Sequence, residues 1–300
     1  MRVAITGSSG LIGSSLATSL LTDGHEVVRL MRRATVAAPK GIVEKQWDPA
    51  AGQMDESALD GVDAVVNLAG AGIGDQRWTE AYKQLLRESR IQATTTIAKA
   101  VADADKHPRV LVSASAIGYY GETGDVRTDE TAEPGSDFLA GLCQDWEAAA
   151  KPAAAAGVRV AHPRFGLVMA RGAGAFGPLV RLARLGVGGR MGSGRQYWSY
   201  VSLPDAIAGL RHIIDTGDIS GPVNVTAPEP VTNREITQAL GRAVHRPMLF
   251  NAPGFALHAG LGEFADSVLM SQRVVPARLL ESGFTFKHTT PQAALAAVLD

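Results

Sequence analysis

Three glycines, at positions 7, 10 and 13, sit in the string TGSSGLIG between a short apolar run and an amphipathic one. That spacing suits phosphate binding. Gly7 permits a sharp turn, Gly10 lets a pyrophosphate approach the backbone, and Gly13 lets a helix pack closely on a strand. The amides and positive dipole end of the following helix would then face the anion. Thr6, Gly7, Ser9, Gly10, Leu11, Ile12 and Gly13 are therefore the expected contacts on the phosphate side of a dinucleotide. A merely tight turn is the plainer alternative. It is disfavoured by the order of elements, with a strand at RVAIT (2–6) before the turn, then a helix and a second strand at HEVVRLM (25–31).

The end of that second strand selects the dinucleotide. An acid about 20 residues after the turn suits NAD, because it accepts from the ribose 2′-hydroxyl. This chain has Arg32 and Arg33 there and no acid between Glu26 and Glu44. Guanidinium groups bind a 2′-phosphate in charge-assisted geometry, so NADP(H) is the expected cofactor. The alternative is a pair of solvated surface arginines. Asp48, at the end of a third strand, could accept from the adenine amino group. Leu68, Ala69 and Gly70 end the strand at 63–70 and should flank the adenine ribose, although Leu68 equally suits core packing. Ser113 and Ser115 close the strand at 108–115. Ser113 is expected at the cofactor. Ser115 could hydrogen-bond a carbonyl or the carboxamide of the nicotinamide, or simply satisfy backbone groups. Pro163, Arg164 and Gly166 lie in the strand 158–169, near the nicotinamide. Arg164 suits either an anionic substrate or an internal carboxylate. Gln196, Trp198 and Tyr200 mix aromatic faces with hydrogen-bonding groups and are the expected substrate wall.

Strands and helices must alternate to position these groups. Strands are expected at 2–6, 25–31, 41–47, 63–70, 108–115 and 158–169, with helices at 14–24, 79–104 and 138–156 between them. Further helices are expected at 203–217 and 232–246, with a short strand at 222–228 between those two. Thr232 and Glu235 form a capping-box pattern. The last fifty residues read as a small helical cap with a final strand or loop at 283–288. Such alternation gives an α/β fold with a doubly wound parallel sheet, ligands binding at the carboxyl ends of its strands. The organisation expected is a Rossmann-type domain at 1–228, with a substrate-side insertion at 170–204, and a small C-terminal substrate or cap domain at 229–300.

The Thr6 turn, NLAG (67–70) and SASAIGYYG (113–121) resemble the extended short-chain dehydrogenase/reductases, which include sugar-nucleotide epimerases and dehydratases. RWTEAYKQLLRESRIQAT (77–94), DFLAGLCQDWE (137–147), GRMGSGRQYWSYVSLPDA (189–206), HRP (245–247) and GFTF (283–286) narrow the resemblance. They are similar to an atypical branch labelled "epimerase family protein", which carries a C-terminal domain of unknown function. The resemblance implies an NADP-binding Rossmann fold without a settled substrate. The wider superfamily uses a serine with a YxxxK pair. Its tyrosine is the acid/base, and its lysine lowers the tyrosine pKa and binds the nicotinamide ribose. None of the five tyrosines here has a lysine four residues on. Phe138 and Leu142 stand where that pair belongs. By elimination Ser115 and Tyr120 are the expected catalytic residues, with a structural aromatic as the alternative for Tyr120.

Composition narrows the remainder. Lys and Arg number 29 against 30 Asp and Glu, which argues against a strongly basic nucleic-acid binder. A single cysteine, Cys143, excludes an intrachain disulfide and a cysteine-rich zinc cluster. The histidine spacings suggest no metal site, and GxSxG and GxxxxGK[ST] are absent. With no apolar run near the ~18 residues of a membrane span and no signal-peptide pattern, a cytoplasmic protein acting on a small molecule is expected. Superfamily members often pair through helices, so a homodimer is open to the chain. Two functions stand. One is an NADP(H)-dependent oxidoreductase or epimerase acting on an unknown small carbonyl or sugar-nucleotide-like substrate. The other is a weakly active or inactive NADP(H)-binding sensor that lacks YxxxK.

Overall fold

The computed structural model describes residues 1–33, 41–172 and 174–299. Seven parallel strands form the body of a nine-stranded sheet: β1 (Arg2–Thr6), β2 (Glu26–Met31), β3 (Ile42–Asp48), β4 (Ala64–Asn67), β5 (Val110–Ser113), β6 (Arg159–Phe165) and β7 (Gly221–Val225). Their order across the sheet is β7-β6-β5-β4-β1-β2-β3, with residues 53–54 antiparallel to β3 and 115–116 parallel to β6. The order reverses at β1, which lies between β2 and β4. That reversal opens a crevice at the carboxyl ends, where ligands of doubly wound sheets bind.

Side-chain alternation along the strands builds both faces. Val3, Ile5, Val66 and Val112 point to one side. There they meet Leu16 and Leu20 of α1 (Leu11–Thr22), and Ile207, Leu210 and Ile214 of α6 (Leu203–Asp215). Ala4, Val28, Val65 and Leu111 point to the other side. They meet Ile97 and Val101 of α2 (Glu80–Asp103), and Ala153 of α4 (Lys151–Ala155). Burying each large aliphatic side chain contributes about 1.5–3 kcal/mol.

Two expected elements divide. The helix expected at 138–156 is α3 (Phe138–Ala148) followed by the short α4, with Pro152 in the first turn of α4. The strand expected at 158–169 ends at Phe165, and Leu167–Met169 forms a separate pair with Tyr200–Ser202. Gly166 stands at the break, where any Cβ would overlap the Ser199 carbonyl. The capping box of Thr232 and Glu235 is present at the start of α7 (Asn233–Ala243).

The later residues form a second core. Met169, Phe176 and Tyr200 pack with Ile236, Leu240 and Leu295, so α5 (Gly177–Arg184), α7 and the helix Pro291–Leu299 share one apolar cluster. Residues 271–275 pass beside the site. Val274 pairs with Thr128 and Gln272 with Trp198, and the Ser199 hydroxyl binds the backbone on both sides of Arg273. Among the described residues, 283–288 form no strand.

Candidate functional site

The glycine turn has the geometry a phosphate needs. Gly7 has φ +62°, and a Cβ there would stand 2.6 Å from the Leu68 carbonyl. Any Cβ at Gly13 would overlap the Gly7 carbonyl. Gly10 differs, because a Cβ there meets only Gly7 O, at 3.3 Å, and the residue is exposed. Gly10 is also the N-cap of α1, and no side chain caps that helix. α2, α3, α6 and α7 receive side-chain caps from Thr79, Asp137, Ser202 and Thr232, whereas α4 and α5, like α1, have none. The first amides of α1 are thus left to an external acceptor, under backbone without side-chain cover. This fits a dinucleotide pyrophosphate. Ser9 is exposed, and Leu11 and Ile12 are partly exposed, at the same turn.

Arg32 and Arg33 follow β2 and are both exposed. Ser8 of the glycine turn reaches Met31, the residue just before them, which places the arginines beside the turn. Asp48 uses one carboxylate oxygen to accept from the amides of Ala50 and Ala51, so it first serves its own turn.

The strand ends stand in one row. Thr6 is level with Leu30 on one side and Asn67 on the other, and Asn67 is level with Ser113. A buried polar network joins them. Thr6 donates to Asn67 at 2.6 Å and accepts from the amides of Leu68 and Ala69. Asn67 donates to Thr94 and Ser113, and Trp146 donates to Thr94. Thr6 and Ser113 are fully buried, so their side chains fix the floor of the crevice and are not free for a ligand. Leu68 and Ala69 are partly exposed and Gly70 is exposed at its rim.

Next in the row, Ser115 pairs with Arg164 of β6. The Ser115 hydroxyl donates to Glu147 of α3 at 2.6 Å, so any further hydrogen bond with a ligand is one its oxygen accepts. Arg164 grips the two Glu147 oxygens at 2.8 and 2.9 Å and donates to the Tyr120 hydroxyl at 2.9 Å. Tyr120 donates to Asn224 Oδ1 at 2.8 Å. The Arg164 guanidinium also lies 3.4 Å from the Tyr119 ring centre. Burial pushes the Tyr120 phenol up to about 12, although Arg164 pulls it down. Burial pulls Arg164 down, but Glu147 and Tyr120 outweigh it and hold the guanidinium above its ordinary value.

Several expectations change here. Of its two possible roles, Arg164 takes the internal carboxylate. Tyr120, the expected proton donor, is only 4% exposed and its oxygen lies between Arg164 and Asn224. Pro163 is buried within β6, and the Gly166 amide donates to Val225 O. Phe138, at the tyrosine position, packs on Trp78 at 5.2 Å, while Leu142, at the lysine position, packs with Tyr82 and Leu86. Tyr200 does not line a wall. It is fully buried and donates to Thr289 O, and burial raises its pKa. Gln196 is buried and binds Met191 O, and Trp198 is partly buried and binds Val268 O.

Glu147, Asn224 and Asn67 were not singled out from the sequence. Their roles depend on inter-element register; the local signals were Glu147, an acid in the DFLAGLCQDWE string, and Asn67, the first residue of NLAG. Among the described residues no cluster of three or more His, Cys, Asp or Glu side chains could hold a metal, and no helix is long and apolar enough to cross a membrane.

Residues 3–226 match the model of the NAD dependent epimerase/dehydratase family. The chain belongs to that family. Residues 252–298 match a domain of unknown function, DUF1731. Epimerase family protein ML0860 of Mycobacterium leprae is 46% identical, over 98% of this chain and 94% of that protein. Epimerase family protein YfhF of Bacillus subtilis is 33% identical, over 100% of this chain and 98% of its own. The crystal structure of human epimerase family protein SDR39U1 with NADPH superposes with a TM-score of 0.88 at 32% identity, covering 99% of each chain. The epimerase/dehydratase match thus covers the sheet and the crevice, and the DUF1731 match covers the strap of residues 271–275 and all but the last residue of the helix Pro291–Leu299.

Proposed function

We propose that this protein binds NADP(H) across the carboxyl ends of β1, β2, β4 and β5 and works as an oxidoreductase or epimerase on a small carbonyl or sugar-nucleotide-like compound, in the cytoplasm. The observation that carries the reading is the uncapped start of α1 over Gly10, beside a β2 end that presents Arg32 and Arg33 and no acid. The NADPH in the human relative's structure supports it.

Bound there, the nicotinamide would supply hydride transfer. The residues of this chain do the rest. The first amides of α1 hold the pyrophosphate, and Arg32 and Arg33 hold the 2′-phosphate. Leu68 and Ala69 lie along the adenine ribose, and Gly70 follows them at the crevice rim. Ser115 Oγ accepts a hydrogen bond from the substrate hydroxyl or the nicotinamide carboxamide, while its own proton stays at Glu147 Oε1. Arg164 acts through Glu147 as a positioning residue, and Tyr120 acts through Arg164.

The test is a titration of NADPH and NADH into wild type and Arg32→Asp, followed by NADPH consumption across a panel of carbonyl compounds and sugar nucleotides. Tighter NADPH binding, lost in the variant, together with turnover of one compound is expected. Equal affinities in the wild type would overturn the cofactor assignment. Binding without turnover would favour a sensor.

A further inference from the structure

Arg90 differs from the two cations that precede it on α2. Lys83 pairs with Glu80 and Glu263, and Arg87 pairs with Asp145, whereas no carboxylate among the described residues pairs with Arg90. One guanidinium nitrogen donates to Leu86 O at 3.0 Å, within its own helix. The residue is only partly exposed, and burial lowers its pKa. Its other donors have no carboxylate partner among the described residues, so a ligand group that accepts hydrogen bonds would complete it.

Its position says which ligand group. Tyr82, Leu86 and Arg90 recur every four residues on one face of α2. Tyr82 and Leu86 pack with Leu142 of α3, and one turn further along both helices the Arg90 guanidinium lies 5.0 Å from the Trp146 ring centre. Arg90 therefore lies one turn from the position where the superfamily lysine is replaced by leucine. Its side chain also lies against Gly70. A Cβ at that glycine would stand 3.1 Å from Arg90 Cγ and 3.3 Å from Cζ. Gly70, expected at the adenine ribose, follows β4, which lies across β1 from β2, the strand after which Arg32 and Arg33 mark the adenine side; it therefore stands toward the other half of the dinucleotide.

We propose that Arg90 donates hydrogen bonds to the ribose on the nicotinamide side of the dinucleotide, supplying from α2 the positive charge that a lysine at position 142 would supply from α3. The planar guanidinium keeps donors for ribose hydroxyls beyond the one that binds Leu86. Trp146 below it and Gly70 beside it fix its plane. This assignment rests on the NADP(H) reading and is tested separately from it.

The experiment compares NADPH with adenosine 2′,5′-bisphosphate, which carries the adenosine and the 2′-phosphate but no nicotinamide half. Arg90→Met is expected to weaken NADPH about tenfold, the scale of a lost charge-assisted hydrogen bond, and to leave the bisphosphate unchanged. Arg90→Lys should restore part of the loss. Equal weakening of both ligands, or of neither, overturns the proposal. If wild type binds neither ligand, the cofactor reading itself fails. Should the methionine variant not fold, phenylglyoxal labelling of wild type gives the same answer. NADPH should shield Arg90 and the bisphosphate should leave it reactive, and identical labelling with the two ligands overturns the assignment.

Discussion

Arg164 holds Glu147 through two parallel hydrogen bonds, 2.8 and 2.9 Å long, with the arginine only 3% exposed. Such a pair joins β6 to α3 directly behind Ser115. Breaking it from one side leaves an uncompensated buried charge. Arg164→Met should destabilise the fold by about 3–5 kcal/mol in urea unfolding. Glu147→Gln combined with Arg164→Met should cost less than Arg164→Met alone, because the stranded carboxylate is gone.

Gly10 and Gly13 separate folding from binding. A methyl group at 13 overlaps backbone, so Gly13→Ala should lose about 1–3 kcal/mol of stability. At position 10 a methyl group meets only the Gly7 oxygen, at 3.3 Å, a tight contact but not an overlap. Gly10→Ala should therefore cost less stability than Gly13→Ala yet bind NADPH more weakly in calorimetry. Unaltered binding would remove Gly10 from the phosphate site.

Tyr120 keeps its proton more tightly folded than unfolded, because burial raises its pKa to about 12. The resulting stability is fully present below about pH 10, the unfolded value, and is lost as pH rises through about 12. Denaturant midpoints should fall over that interval, and Tyr120→Phe should remove part of the slope. Near neutral pH the phenol stays protonated, so the same variant should leave the pH dependence of NADPH oxidation unchanged.

Tyr200 belongs to the second core, not to a ligand wall. Tyr200→Phe loses one hydrogen bond to Thr289 and should cost about 0.5–1.5 kcal/mol. Its NADPH affinity should match wild type, and a large loss of affinity would return the residue to the site.

The alternating elements were legible in the sequence because apolar periodicity and the glycine turn are local. The strands at 2–6 and 25–31 and the long helix at 79–104 emerge within two residues of expectation at each end. The split at Gly166 was not legible, since its cause is the Ser199 carbonyl arriving from another segment. The same holds for the site. Gly7, Gly10 and Gly13 announce themselves through spacing, but Glu147 matters only because β6 and α3 bring Arg164 and Ser115 to it. Tyr200 misled because an aromatic among glycines suits either a pocket or a core, and only its packing with Phe176 and Ile236 decides.

The row from Thr6 through Asn67 to Ser113 means that the crevice floor takes its contour when the chain folds, before any ligand arrives. Each hydroxyl and amide there already answers a neighbour, so a dinucleotide settling on it orders little protein and forfeits chiefly its own freedom. A seat so firmly set has little latitude for tailoring. On the proposed function, discrimination among substrates then falls to groups outside this floor; segments 121–137 and 186–200, which the strap of residues 271–275 fastens together, are the first place to look.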